Sequence, residues 1–136
     1  MADINLVTAN KVNIVESIKQ LTAPAVEAIT AGMAMRLDTA TGKFTKAKAT
    51  DAAEARVKWI AVKTVAIGEA VTGIENGVMD GYDLSGLAYD APVYLSDTDG
   101  RLADAAGTVS TVIGRVIPGT ATTLGTALDK LLLVDL

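Results

Sequence analysis

A weak internal repeat constrains the fold of this chain more than any other feature of its sequence. Residues 35–37 and 42–44 are matched, without a gap, 58 residues later by residues 93–95 and 100–102. Each copy has a strand, a glycine-bearing turn and a second strand, the pattern of a β-hairpin, and a longer strand follows after a connector. Chance similarity between two alanine-rich hairpins is the competing interpretation. If the repeat is real, two copies are too few for a solenoid, and they predict a pseudo-symmetric β fold closed on itself.

Strand-type patterning extends over most of the chain, with turn pairs such as Thr41-Gly42, Asn76-Gly77 and Asp99-Gly100 at intervals of about ten residues. The candidate strands are residues 12–22, 32–37, 43–46, 58–67, 70–78, 91–95, 111–117 and 131–136. This spacing predicts a mainly β, small barrel- or sandwich-like domain. One segment favours a short helix, near residues 51–57, where Asp51 and Glu54 have the spacing of a capping box.

The strand over residues 12–22 has apolar and polar side chains on both faces, and Pro24 ends it. Such mixed faces favour an edge or projecting strand over a central one. We therefore expect an extended N-terminal arm over residues 1–24 and a single β-rich domain over residues 25–136.

Composition excludes most catalytic chemistry. The chain has no cysteine and no histidine, which removes disulfides, thiolate and imidazole metal sites and histidine-based proton transfer. Residues 37–44 lack the first glycine and the hydroxyl of a phosphate-binding loop, and residues 97–100 (DTDG) lack the later ligands of a calcium loop. We expect no catalytic residue, no metal and no cofactor, and we expect that the protein is not an enzyme.

The net charge of −4 is unevenly distributed. Residues 1–63 carry nine basic against six acidic residues, and residues 64–136 carry three against ten, which indicates either an ordinary solvated surface or two faces for different partners. An acidic chain with few aromatic residues does not favour nucleic acid, and no apolar run is long enough to span a bilayer. The N-terminus lacks the pattern of a signal peptide, so we expect synthesis and folding in the cytoplasm.

Aromatic residues make up only 4% of the chain, so we expect a core of small, branched side chains. Trp59 and Tyr94 are interpreted as core residues. Tyr82 and Tyr89 flank the turn-rich stretch 83–87, and for them the core and an interface are equally favoured.

Several short motifs, taken in order, resemble the small capsid cement, or head decoration, proteins of tailed bacteriophages. They are residues 29–44, 59–62 (WIAV), 66–71 (AIGEAV), 84–87 (LSGL), 91–95 (APVYL) and 113–116 (IGRV). The resemblance covers about residues 22–136. It departs from the family pattern at Asp90, where glycine is common, while the equivalent Gly32 of the first copy is kept.

The resemblance implies a non-enzymatic virion protein that is made in the cytoplasm of the bacterial host. It implies binding to the major capsid protein on the outer surface of the expanded head, as a homotrimer that stabilises the shell. By hypothesis, the arm over residues 1–24 reaches the capsid or a neighbouring copy through Ile4, Leu6, Val7 and Val12.

Two other functions remain open from the sequence. A small ligand- or carbohydrate-binding β module, for instance a host-attachment appendage, has a similar fold and requires a concave site with clustered aromatic residues. An enzyme with a serine–lysine or carboxylate site is the other alternative.

Overall fold

The computed structural model describes residues 2–119 and 130–136. Met1 of the expected N-terminal arm and residues 120–129 of the expected β-rich domain therefore lie outside the described residues. The described residues form nine strands and no helix. The strands are β1 (Asn13–Pro24), β2 (Ala34–Leu37), β3 (Phe44–Lys46), β4 (Trp59–Ala61), β5 (Ala70–Asp80), β6 (Pro92–Leu95), β7 (Leu102–Ala103), β8 (Val112–Pro118) and β9 (Lys130–Asp135). The predicted mainly β fold is confirmed.

The strands form one antiparallel sheet in the order β3-β2-β4-β5-β9-β8-β6-β7. β4 and β9 pair with successive parts of one edge of β5, residues 73–74 and 76–79, and β1 pairs with the opposite edge over residues 70–80. The sheet is open and curls into a half-barrel. It is therefore barrel-like, as expected, although the sheet does not close on itself within the described residues.

The hairpin repeat is visible in this strand order. Read inward from its two ends, the sheet runs β3-β2-β4-β5 on one side and β7-β6-β8-β9 on the other. Leu37 pairs with Phe44 in the first half, and Leu95 pairs with Leu102 in the second, which is the register that the sequence repeat predicts. The two copies therefore form two halves of one sheet, which meet between β5 and β9.

Two apolar clusters lie on opposite faces of the first half of this sheet. Successive residues alternate between the clusters, as Ala34 and Met35 do in β2 and Ile60 and Ala61 do in β4. The main cluster takes side chains from both halves of the sheet. The smaller cluster contains Phe44, whose ring lies 5.3 Å from that of the half-buried Trp59.

The chain itself covers both ends of the sheet. Beside β3, the Val26 amide donates a hydrogen bond of 2.9 Å to the carbonyl of Phe44. Beside β7, the Ile4 amide donates one of 2.8 Å to the carbonyl of Leu102. Such contacts protect edges that would otherwise pair with other chains.

The helix predicted near residues 51–57 is wrong, because the structure has a single turn there. Asp51 accepts hydrogen bonds from the amides of Glu54 and Ala55, at 2.9 and 3.0 Å, but no further turn follows. Ala55 and Val57 are both buried and the intervening Arg56 is exposed, which is the alternation of extended chain. Burial of these side chains outweighs the helix propensity of so short a segment.

The turn predicted at Asn76-Gly77 is also wrong, because both residues lie inside β5. A Cβ atom on Gly77 would stand 2.3 Å from the backbone oxygen of Glu16. Glycine is therefore used here for the close approach of β1 rather than for a turn.

Candidate docking surface

The longest strand, β1, is also the most exposed. Eleven of its twelve residues are exposed, and it hydrogen-bonds to β5 along one edge only. Among residues 2–119 and 130–136, no strand pairs with its outer edge. The apolar side chains exposed along it are Ile14, Val15, Ile18 and Leu21, with Ile18 at 68%. We refer to these four side chains and the outer backbone edge of β1 as the β1 surface.

The pairing of β1 with β5 is irregular at the centre of this surface. The register shifts at Val15, at Ile18 and between Lys19 and Gln20, and neither Val15 nor Ile18 has a partner directly opposite in β5. Such bulges are common at sheet edges, where they redirect side chains and increase the local twist. They place two exposed apolar side chains outside the regular ladder.

Polar contacts hold β1 to the sheet. The two carboxylate oxygens of Glu75 contact Lys19 Nζ at 3.0 Å and Lys58 Nζ at 3.2 Å. The hydrogen bond from Lys19 lowers the pKa of Glu75, against the opposing effect of burial, and Lys58 lowers it further. The hydroxyls of Thr22 and Thr72 lie 2.7 Å apart. β1 is thus an ordered element of the fold.

The four N-terminal contact residues expected from the sequence occupy different environments. Ile4 is buried in the main cluster, and Leu6 and Val12 are half-buried against it. Val7 is exposed at 66%, although its amide donates a hydrogen bond to the carbonyl of Gly81. Ile4, Leu6 and Val12 therefore pack on the sheet, and Ile4 is a core residue of its own chain.

The four apolar residues of the β1 surface were not among the expected contacts. The sequence signal for them was the mixed character of both faces of residues 12–22, since apolar side chains on two faces of an edge strand cannot all be buried.

The two candidate interface tyrosines also differ in their exposure to solvent. Tyr82 is buried, and its hydroxyl donates a hydrogen bond to the carbonyl of Gly32, so it belongs to the core. Tyr89 is 42% exposed, and Lys130 Nζ lies 5.2 Å from its ring centroid, within the range of a cation–π contact. Only Tyr89 of this pair is at the surface.

Two concave regions of about 540 Å³ each lie elsewhere on the molecule. The first is bounded by residues 4–10 and the loop before β2, and it contains Tyr82 and Arg101. The second lies beside the β2–β3 turn and contains Trp59 with several charged side chains. Each has one aromatic residue in its wall, so the described residues do not form the aromatic cluster of the ligand-binding alternative.

The described part of the chain contains no group of three or more acidic side chains placed to hold a metal ion. Nor does it contain a helix with the length and apolar character needed to cross a membrane. An open β half-barrel with one long exposed edge strand is the class of structure that these observations define. No protein-family model, curated protein or solved structure matches this chain.

Proposed function

We propose that this protein decorates the capsid of a tailed bacteriophage and stabilises the expanded head without catalysing a reaction. The resemblance of residues 22–136 suggests the function, and the β1 surface is the observation that carries it. β1 has twelve residues, four exposed apolar side chains and an outer edge that no other described strand pairs with. Such an edge can bind another polypeptide.

In this proposal the occupant of the β1 surface is the major capsid protein. An extended segment of the capsid subunit adds to the outer edge of β1, so that main-chain hydrogen bonds supply affinity. The side chains of Val15 and Ile18 then supply specificity by packing against that segment. Many equivalent sites on one shell add avidity to each contact.

The resemblance also leads us to propose a homotrimer on the shell. In a trimer with three-fold symmetry, each copy contributes one β1 surface, so that the complex binds at three points. The expected number of bound chains is then three for each three-fold or quasi-three-fold position of the lattice.

Co-sedimentation with purified, expanded and undecorated heads of the cognate phage tests the proposal. We expect binding that saturates at a stoichiometry set by the lattice symmetry. Saturation at three chains for each such position supports the trimer, and another symmetric ratio contradicts the trimer alone. Absence of co-sedimentation contradicts the proposed function.

A matched pair of variants tests the β1 surface itself. Ile18 and Ile67 are exposed to similar extents, at 68% and 71%, but Ile67 lies outside β1. Burial of an isoleucine contributes about 1.5–3 kcal/mol, so Ile18→Asp should weaken binding by at least about tenfold. Ile67→Asp should bind as the wild type does. Equal binding by the two variants would contradict the role of β1.

Deletion of residues 1–20 is a poorer test, because it removes the buried Ile4 together with most of β1. Loss of binding after such a deletion would also follow from loss of the fold. Substitution of exposed side chains separates the two effects.

A small ligand-binding β module is the competing function. It predicts that the protein does not sediment with heads. Binding of a small molecule at a concave site does not by itself distinguish the two functions. The two concave regions leave such binding open to measurement, although neither contains clustered aromatic side chains.

A further inference from the structure

A groove beside the β2–β3 turn concentrates positive charge on an otherwise acidic protein. It has a volume of about 540 Å³ and lies between the end of β2 and the connector that leads into β4. The side chains that matter for its chemistry are Arg36, Asp38, Thr39, Arg56, Lys58 and Trp59. Three of these are cations and one is an anion, whereas the whole chain has a net charge of −4.

The single carboxylate of the groove, that of Asp38, is hydrogen-bonded within the β2–β3 turn. Asp38 Oδ2 accepts a hydrogen bond of 2.7 Å from the hydroxyl of Thr41, and this bond lowers the pKa of Asp38. Lys58 Nζ forms an ion pair with Glu75 Oε1 at 3.2 Å. Within the described ranges, Arg36 and Arg56 form no ion pair with an acidic side chain. The charge of Arg36 also helps to lower the pKa of Asp38, so this carboxylate balances part of that charge. Neither guanidinium is held in a described ion pair, and both can contact an external anion.

Arg36 has a second feature that points to a ligand. Its Nε atom is buried and has no hydrogen-bond partner among the described residues. A buried donor without an acceptor is unfavourable, so the described fold leaves the hydrogen-bonding capacity of Arg36 incompletely used. Arginine binds carboxylate and phosphate groups through two parallel N–H donors.

The wall of the groove also has an apolar part. Leu37, Val57 and Trp59 line it together with the cations. An indole ring packs well against the carbon framework of an organic molecule, while arginine supplies planar, two-point recognition of carboxylate and phosphate. The combination favours an anion carried on a small organic body over a bare inorganic ion.

We propose that this groove binds a small organic oxyanion, a carboxylate or phosphate ester, through Arg36 and Arg56 with the organic body against Trp59. This site is separate from the β1 surface and does not depend on capsid binding. Its chemistry is shared by sugar acids and sugar phosphates, and the experiment below distinguishes them.

The protein contains one tryptophan, so its intrinsic fluorescence reports on this groove. We would titrate the full chain with glucuronate, glucose 1-phosphate, inorganic phosphate and neutral glucose, at constant ionic strength set with sodium chloride. We expect a saturable change in Trp59 emission with at least one of the two anionic sugars, at a Kd of about 1 mM or lower. Glucose and sodium chloride should give no saturable change.

The stronger response of glucuronate or of glucose 1-phosphate identifies the preferred oxyanion. Binding of inorganic phosphate as tight as that of both sugars would contradict the role of Trp59. Absence of a saturable response with all three anions up to about 10 mM, some tenfold above the expected Kd, would overturn the site.

Substitutions test the two arginines. Arg36→Lys keeps the charge but removes the planar pair of donors, and we expect roughly tenfold weaker binding. Arg56→Gln, at an exposed position of the extended segment before β4, should weaken binding without loss of the fold, and it replaces Arg36→Lys if that variant is unstable. Lys63→Gln is the control, because Lys63 is exposed and outside the groove. Equal affinity in Arg56→Gln and Lys63→Gln would contradict the proposal.

Discussion

The hydroxyl of Tyr82 donates a hydrogen bond of 2.6 Å to the carbonyl oxygen of Gly32, fifty residues earlier in the chain. Gly32 precedes β2 and Tyr82 follows β5, so the hydrogen bond joins the segment before the first hairpin to the segment after β5. Burial raises the pKa of Tyr82, which keeps the hydroxyl protonated as a donor. The side chains of Leu6 and Val12 pack around the same glycine.

Removal of this hydroxyl should destabilise the protein. Tyr82→Phe leaves the Gly32 carbonyl without its partner, and we expect the free energy of unfolding to fall by about 1–3 kcal/mol. Urea denaturation monitored by circular dichroism measures the change. Tyr89→Phe, at an exposed ring, is the control and should lie within about 0.5 kcal/mol of the wild type. Equal stability of the two variants would contradict the structural role of the hydrogen bond.

Asp90 should tolerate glycine better than alanine. Its φ angle is +65°, in the left-handed region, where alanine is strained and glycine is not. We expect Asp90→Ala to lower the free energy of unfolding by about 1 kcal/mol, and Asp90→Gly to change it by less than about 0.5 kcal/mol. Both variants lose the exposed ion pair with Arg115, and Arg115→Ala measures that loss separately. A glycine variant less stable than the alanine variant would contradict this account.

The ion pairs of Glu75 should make stability depend on pH. The pKa of Glu75 is lowered in the fold from its ordinary value of 4.5, so its contribution is complete above that value. It is lost progressively as the pH falls below 4.5 towards the folded-state pKa. Urea denaturation at neutral pH and at about pH 3 should therefore show a larger loss for the wild type than for Glu75→Gln. Parallel losses in the two proteins would show that Glu75 makes no such contribution.

A side chain at position 77 should separate β1 from β5. The Cβ atom of Gly77→Ala would lie 2.3 Å from the backbone oxygen of Glu16, so the two strands must move apart. We expect faster amide hydrogen exchange over residues 13–20, measured by mass spectrometry, and a loss of stability of about 1–3 kcal/mol. Gly86→Ala is the control, since no atom lies within 4 Å of its Cβ position. Unchanged exchange in β1 would contradict this packing.

The hairpin repeat was predictable because strand pairing follows local signals. Glycine-bearing turns and alternating side chains set the pairs Leu37–Phe44 and Leu95–Leu102, which involve residues close in the sequence. The left-handed conformation shared by Gly32 and Asp90 was predictable for the same reason, since the preference belongs to the single residue. Mixed faces over residues 12–22 likewise indicated an edge strand.

The face that each strand turns to the core was not predictable. Phe44 and Leu102 are equivalent in the repeat, yet they lie in different apolar clusters. In β5, Ile74 and Met79 share the main cluster although their spacing would place them on opposite faces of a regular strand. Glu75 lies between them at an irregularity in the pairing with β1, which changes the alternation.

The sequence by itself determined a cysteine- and histidine-free β domain, its two hairpin copies and its edge strand, because composition, turn residues and side-chain alternation are local properties. Only the tertiary structure decided that Ile4, Leu6 and Val12 pack on the sheet and that Tyr82 is buried. It also decided that Arg36, Arg56 and Trp59 share one groove. These outcomes depend on contacts between segments far apart in the chain, whose free energy of burial exceeds the preferences of any single segment.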